Sequence, residues 1–152
     1  MTSTDRIEKQ IKLNNPRSRV WRALTDAKQF GSWFGVDLQG AIVPGAAIRG
    51  QITSKGYEHL YFEMVVESMD PERFFSFRWH PYAIDPNVDY SREPMTLVAF
   101  ILEEVDGGTV LRVVESGFDA IPASRRVTAF EMNSKGWTGQ MTNIQKYLAA
   151  NA

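Results

Sequence analysis

The sequence predicts an α+β domain in which an antiparallel sheet carries one long helix at its C-terminal end. Apolar and polar residues alternate with period two through most of 40–115, and turn residues interrupt that alternation at short intervals. The last apolar pattern, over 124–150, instead has the period of a helix. Strands joined by short turns pair antiparallel. We therefore expect the order β-α-α-β-β-β-β-β-α.

The N-terminal part predicts one strand followed by two short helices. Residues 6–13 alternate apolar and polar side chains, which is typical of a half-buried strand. Pro16 suits the first turn of the helix formed by RSRVWRALTD. Asp26 can cap the next helix, AKQFGSWF, and Gly35 can end it.

Turn residues divide the central part of the chain into five further strands. Their expected ranges are 46–53, 60–68, 73–79, 96–105 and 109–115. Asp106-Gly107-Gly108 is a hairpin signal between the last two strands. The segment from Pro81 to Pro94 has little periodicity, and long connections of this kind often cover functional openings.

The C-terminal segment predicts a long amphipathic helix over 124–150. Its apolar residues form one stripe, made of Val127, Phe130, Trp137, Met141, Ile144 and Leu148. Gly136 and Gly139 interrupt the helix, where each costs about 1 kcal/mol relative to Ala. That cost predicts a close approach or a bend at this point.

Composition limits the classes of function. The 152 residues, 43% hydrophobic and 23% charged, suit one domain over 1–152 with its core at about 7–148. The net charge of -1 comes from interspersed signs, so we expect neither nucleic acid nor a membrane surface as partner. There is no cysteine for a disulfide, a thiolate nucleophile or a Cys-based metal site. The polar start lacks the features of a signal peptide, and a soluble, cytoplasmic protein is expected.

Four motifs carry a resemblance to a known family: RVWRALTDAKQFGSWFG, ERFFSFRW, DGGTVLRVVESGF and NSKGWTGQMTNIQKYL. In order and spacing they resemble the SRPBCC proteins (START, or birch-pollen-allergen-like). Within that superfamily they resemble the branch homologous to the C-terminal domain of the activator of the heat-shock-protein-90 ATPase. The resemblance runs from about Ile7 to Leu148.

The resemblance implies a helix-grip fold, in which a curved antiparallel sheet wraps around the long C-terminal helix. It also implies a cavity between sheet and helix that in many relatives holds an apolar or amphipathic small molecule. Members of this branch range from ligand carriers to cyclase-like and hydrolase-like enzymes, with no universal catalytic residues. The co-chaperone of the branch, which acts in the stress response, has a further N-terminal domain that docks on the chaperone. A chain of 152 residues lacks room for that further domain, so direct ATPase activation by this chain is not expected.

Strand alternation and the helical stripe predict which side chains would line such a cavity. Most are large and apolar, and each could equally be ordinary core. The predicted ligand-binding residues are Trp33, Phe34, Ile48, Phe62, Met64, Phe75, Phe77, Trp79, Val98, Phe100, Leu102, Leu111, Val113, Glu115, Phe130, Trp137 and Met141.

Glu115 is the polar side chain that the alternation places inside, on the face of Leu111 and Val113. Burial would disfavour its charged form unless a cation or a donor meets it. Such a group could orient a ligand or act as a general acid or base. Alternatively, Glu115 could be solvated at the strand end or accept hydrogen bonds from the backbone near Gly117. The sequence leaves these alternatives open.

Two weaker catalytic candidates are His80, at the end of the fourth strand, and Tyr61. His59 and His80 lie in no metal-binding or catalytic spacing, so an exposed or structural role is favoured for both. No metal and no cofactor is expected. The function predicted is binding of a small hydrophobic or amphipathic ligand. A cyclase- or hydrolase-like enzyme and a chaperone-associated interaction module are the alternatives, and a homodimer is plausible.

Overall fold

The computed structural model describes residues 5–85 and 87–151. Within them lie one seven-stranded antiparallel sheet and three α-helices. In chain order the elements are β1 (Arg6–Leu13), α1 (Arg17–Thr25), α2 (Ala27–Phe34), β2 (Val36–Gln39), β3 (Ala47–Ile52), β4 (Tyr61–Asp70), β5 (Phe74–Trp79), β6 (Thr96–Val105), β7 (Gly108–Ser116) and α3 (Ala123–Ala150). A short 3-10 turn, Phe118–Ala120, joins β7 to α3.

The strand order in the sheet is β1-β7-β6-β5-β4-β3-β2. Neighbours in sequence from β2 to β7 are therefore neighbours in space, and β1 closes the other edge against β7. The long helix α3 packs against β1 and α2. This arrangement confirms the predicted α+β fold with two short helices after the first strand and a long terminal helix. No helix in the described ranges is long and apolar enough to cross a bilayer.

The short helices begin and end where the sequence signals predict. The Asp26 carboxylate accepts a hydrogen bond from the backbone N–H of Gln29 at 3.0 Å, which satisfies one free donor at the start of α2. Gly35 ends α2 with φ at 95°, a left-handed conformation that glycine adopts without a steric penalty. The chain then turns directly into β2.

Strand β2 is the element that the sequence did not predict. It has four residues, too few for alternation to distinguish it from a loop, although Val36 and Leu38 are buried and their neighbours are exposed. Its pairing with β3 depends on Gly50, because a Cβ at that position would meet the carbonyl oxygen of Asp37.

The apolar stripe of α3 differs from the prediction at its N-terminal end. Val127 is 60% exposed, and Ala129 is the buried residue of that turn. The close approach predicted for Gly136 and Gly139 is also wrong, because a Cβ at either position would have no atom within 4 Å. The helix is continuous from Ala123 to Ala150, and Trp137, Met141, Ile144 and Leu148 anchor it.

The core between sheet and helices is aromatic. Five phenylalanines are completely buried: Phe30, Phe75, Phe77, Phe100 and Phe118. Full burial of one such side chain contributes about 1.5–3 kcal/mol. This rigid aromatic layer fixes the strands and helices from which the candidate site is built.

Candidate functional site

A pocket of about 460 Å³ opens between the sheet and the connection from β5 to β6. Small-molecule sites in proteins are typically about 300–1,000 Å³. The lining combines aromatic, aliphatic and polar side chains: Phe34, Ile52, Leu60, Tyr61, Phe62, Glu63, Trp79, His80, Tyr82, Ala83, Ile84, Asp89, Tyr90, Ser91 and Asn133. Six of these 15 residues belong to 81–94, the connection that the sequence singled out, so its described residues form one wall.

A smaller pocket of about 80 Å³ adjoins the first. Its lining is Phe34, Trp79, Asn133, Gly136, Trp137 and Gln140, of which the first three also line the larger pocket. Asn133, Gly136, Trp137 and Gln140 recur at helical spacing, so one face of α3 forms this side of the pocket.

Phe34 is at the centre of the aromatic wall shared by the two pockets. Its ring packs edge-on against Phe62, Trp79 and Trp137, with centroids 5.2, 6.0 and 6.1 Å away. The ring centroids of Trp79 and Trp137 lie 5.7 Å apart. Because such pairs prefer defined offsets, the wall presents fixed aromatic surfaces to the cavity.

Glu115 lies behind this wall and is completely buried. Its Oε2 accepts hydrogen bonds from the indole Nε1–H of Trp79 at 2.7 Å and from the hydroxyl of Thr96 at 2.6 Å. Its Oε1 accepts one from the indole Nε1–H of Trp137 at 2.8 Å. The amide Nδ2 of Asn133 donates to both oxygens, at 2.9 and 3.1 Å.

This network makes Glu115 an anchor for the pocket wall. An indole N–H can only donate, so both carboxylate oxygens act as acceptors. The four donors come from β5, β6 and α3, and among the described residues no lysine or arginine pairs with the carboxylate. Of the two alternatives left open by the sequence, the interior position is the one observed. Three of the four donors line the pockets, whereas Glu115 itself lines neither.

Arg125 fastens the wall made by the described residues of 81–94 to the start of α3. Its guanidinium donates to the backbone carbonyls of Pro81 and Tyr82 at 3.0 and 3.3 Å and pairs with Glu93 at 2.8 Å. It also lies over the Tyr90 ring, 4.7 Å from the centroid. The Arg125 side chain is only 17% exposed, so it is part of the packed wall and does not lie on a solvated helix face.

The two weaker catalytic candidates both line the larger pocket. The Nε2 of His80 lies 3.1 Å from the carbonyl oxygen of Glu93 and, since a carbonyl only accepts, carries a proton there. Tyr61 is 57% exposed, with the guanidinium of Arg49 over its ring. His59 is exposed and outside this lining. Across the described part of the chain no group of three potential ligands could hold a metal ion.

The predicted ligand-binding residues divide into two groups. Phe34, Phe62, Trp79 and Trp137 line one or both pockets. Eleven others border neither pocket and are buried in the interior: Trp33, Ile48, Met64, Phe75, Phe77, Val98, Phe100, Leu102, Leu111, Val113 and Met141. Phe130 also borders neither pocket and packs, half-buried, against Phe118. Alternation identifies the face of a strand, but it carries no information on whether the space above that face is filled.

Sequence reasoning missed the polar residues that α3 contributes. Asn133 lies one turn before Trp137, a spacing that places the two side chains on the same helix face. That spacing was the available signal. The amide of Gln140 donates to the backbone carbonyl of Phe34 at 3.0 Å and so joins α3 to the end of α2.

Comparisons with known proteins agree with the fold. The model of the family described as "Activator of Hsp90 ATPase homolog 1-like protein" matches residues 14–149, which confirms the resemblance found in the motifs. No curated protein sequence matches the chain significantly.

Solved structures share the fold at low sequence identity. DynU16, from the dynemicin biosynthetic locus, superposes with a TM-score of 0.74 at 22% identity, over 97% of this chain and 48% of that one. This chain thus spans about half the length of DynU16. MLL2253 from Mesorhizobium loti superposes with a TM-score of 0.76 at 20% identity, over 97% of this chain and 98% of that one. The Aha1 dimer from Colwellia psychrerythraea superposes with a TM-score of 0.68 at 19% identity, over 92% of each chain.

Proposed function

We propose that this chain, which belongs to the family of activator of Hsp90 ATPase homolog 1-like proteins, binds a small hydrophobic or amphipathic molecule in the larger pocket. The observation that carries the proposal is the pocket itself. It has about 460 Å³ of space, and its walls combine rigid aromatic surfaces with a few polar groups.

The cost of the Glu115 network supports a binding role over plain core packing. Burying a carboxylate among neutral donors costs free energy that an apolar side chain at position 115 would not incur. In return, the carboxylate holds the indole edges of Trp79 and Trp137 and leaves their apolar surfaces as pocket wall. Preorganised surfaces of this kind reduce the entropy lost when a ligand binds.

Native mass spectrometry and calorimetry together test the proposal. We expect the purified protein to carry a co-purifying small molecule or, when stripped, to bind the neutral probe 1-naphthalenemethanol. Ala83 lies in the pocket lining, so Ala83→Trp should fill the cavity and weaken probe binding at least about tenfold.

The matched control is Ala149→Trp, which adds the same side chain at an exposed position in the last turn of α3. Its probe affinity should equal that of the unchanged protein. Absence of a bound molecule together with absence of probe binding would refute the proposal, as would equal affinities in the two tryptophan variants.

A cyclase- or hydrolase-like activity on the same molecule is the second candidate, favoured by the presence of His80 and Tyr61 in the lining. Glu115 is a poor source of the transferred proton, because its oxygens are buried and engaged by four donors. This candidate predicts that His80→Gln stops turnover of the co-purifying molecule. An unchanged molecule after long incubation with the protein would exclude it.

Family membership favours two partner proteins as further candidates. A chaperone-associated role predicts that the purified chain retains Hsp90 in a pull-down, and an empty pull-down would remove that role.

The Aha1 structure from Colwellia psychrerythraea is described as a dimer, so we propose that this chain also forms a homodimer. Light scattering after size-exclusion chromatography distinguishes a mass near 17.2 kDa from twice that value.

A further inference from the structure

We infer that the larger pocket selects flat, apolar molecules that bring hydrogen-bond donors, above all an ammonium group, and discriminates against carboxylates. The inference rests on the proposed function, since it names the ligand class of the same pocket. It follows from an account of which polar groups in the lining are already engaged and which are free.

The strongest donors in the walls are already engaged by Glu115. The indole N–H of Trp79 and the amide Nδ2 of Asn133 both donate to its carboxylate, as does the indole N–H of Trp137 in the smaller pocket. A ligand carboxylate entering the pocket would have to compete with a buried carboxylate for these donors. Breaking that network would leave the Glu115 charge buried without compensation.

The imidazole of His80 and the amide of Gln140 each use a side-chain N–H for a backbone carbonyl. His80 uses its protonated Nε2 for the carbonyl of Glu93, and Gln140 uses its amide for the carbonyl of Phe34. Ser91 donates its backbone N–H to the Asp89 carboxylate at 3.0 Å.

The groups that stay free are mainly acceptors. The amide Oδ1 of Asn133 is left when its Nδ2 faces Glu115. Asp89 retains acceptor capacity beyond its bonds to Ser91. The tyrosine hydroxyls can accept or donate, so they do not discriminate.

The charge of the lining favours the same class of molecule. It contains two carboxylates, Glu63 and Asp89, and no lysine or arginine. Glu63 pairs with Arg49, so Asp89 is the carboxylate of this lining that has no guanidinium partner among the described residues. Hydrogen bonds from the Ser91 hydroxyl, and then from its N–H, keep the pKa of Asp89 below its usual value, so this carboxyl is charged at neutral pH.

Two guanidinium groups lie close to the lining, and each is paired with a glutamate. Arg49 lies over Tyr61 and pairs with Glu63 at 3.1 Å, and Arg125 lies over Tyr90 and pairs with Glu93. Neither is therefore a free cation for an anionic ligand. The aromatic rings of the pocket, in contrast, can attract a ligand cation to their faces.

Three probes of one shape test the inference by calorimetry at neutral pH: 1-naphthylmethylamine, 1-naphthalenemethanol and 1-naphthoic acid. They carry an ammonium, a neutral hydroxyl and a carboxylate on the same ring system. We expect the ammonium probe to bind at least about tenfold more tightly than the carboxylate probe, with the alcohol between them.

Two variants with the same change of charge locate the effect. Asp89→Asn removes a carboxylate from the lining and should reduce the ratio of ammonium to alcohol affinity about threefold to tenfold. Asp106→Asn removes one from the exposed turn between β6 and β7 and should leave the ratio unchanged.

The outcomes separate this inference from the proposed function. If the alcohol binds and the carboxylate binds as tightly as the ammonium, the pocket binds ligands but the inferred selectivity is wrong. If the ammonium preference is equally reduced in both variants, it comes from the overall charge of the protein, and the inference is overturned. If no probe binds, the proposed function fails and the inference fails with it.

Discussion

Replacing Glu115 with glutamine tests whether the carboxylate anchors the pocket wall. The substitution keeps the shape of the side chain but turns one acceptor oxygen into an NH₂ donor. Each oxygen of Glu115 faces an indole N–H, that of Trp79 on one side and that of Trp137 on the other. Whichever way the amide is oriented, it therefore places a donor against an indole that cannot accept.

The expected cost follows from this geometry. One charge-assisted hydrogen bond is lost, a contribution of about 1.5–3 kcal/mol, and the orphaned indole N–H costs an overlapping amount of about 1–3 kcal/mol. The hydroxyl of Thr96 or the amide of Asn133 can rotate to accept from the new NH₂ group and recover part of this. We expect Glu115→Gln to lower the free energy of unfolding by about 3 kcal/mol. At about 2–4 °C per kcal/mol, the melting temperature should fall by about 6–12 °C.

Urea denaturation measures the free energy, and the indole N–H resonances in a ¹H–¹⁵N NMR spectrum show which tryptophan is affected. The control is Glu103→Gln, an exposed position on β6, which should change stability by less than about 0.5 kcal/mol. A loss below about 1 kcal/mol in Glu115→Gln, with both indole resonances unmoved, would refute the anchoring role. Should that variant fail to fold, Thr96→Val removes a single donor to the Glu115 carboxylate and should cost about 1.5–3 kcal/mol.

Three further substitutions test other parts of the structure. Arg125→Met should release the wall made by 81–94. Amide hydrogen exchange in that wall should accelerate, while the amides of the central strands stay protected. Equal acceleration in the wall and in the central strands would contradict the fastening role. Gly50→Ala should destabilise the protein by about 3 kcal/mol in urea denaturation, because its Cβ meets the carbonyl of Asp37, and a neutral effect would contradict the close pairing of β2. Gly139→Ala should stabilise by about 0.5–1 kcal/mol in the same assay, because the new methyl group meets no atom within 4 Å, and a loss of stability would show a hidden contact.

Local signals were enough to predict most of the secondary structure. Alternation over eight residues predicts the first strand at 6–13, and the structure has it at Arg6–Leu13. The hairpin between β6 and β7 follows from Asp106-Gly107-Gly108, where Gly107 adopts a φ of 79°. The four-residue β2 could not be predicted, because its pairing depends on Gly50, distant in sequence.

In the candidate site, the local pattern determines which way a side chain points, and tertiary packing determines what it contacts. Alternation within β7 places Glu115 inside, and the structure agrees. Its donors lie 18 to 36 residues away in sequence, on three other elements, and nothing local to Glu115 indicates them.

The chain's own pattern of residues thus decided the order of its elements and the direction in which each strand side chain points, because both depend on near neighbours. Only the tertiary structure decided which inward-facing residues fill the core and which border open space. That outcome depends on how the volumes of side chains from distant elements add up. For this reason Phe77 and Trp79, two residues apart on one face of β5, differ in role: the first is completely buried, and the second lines the pocket.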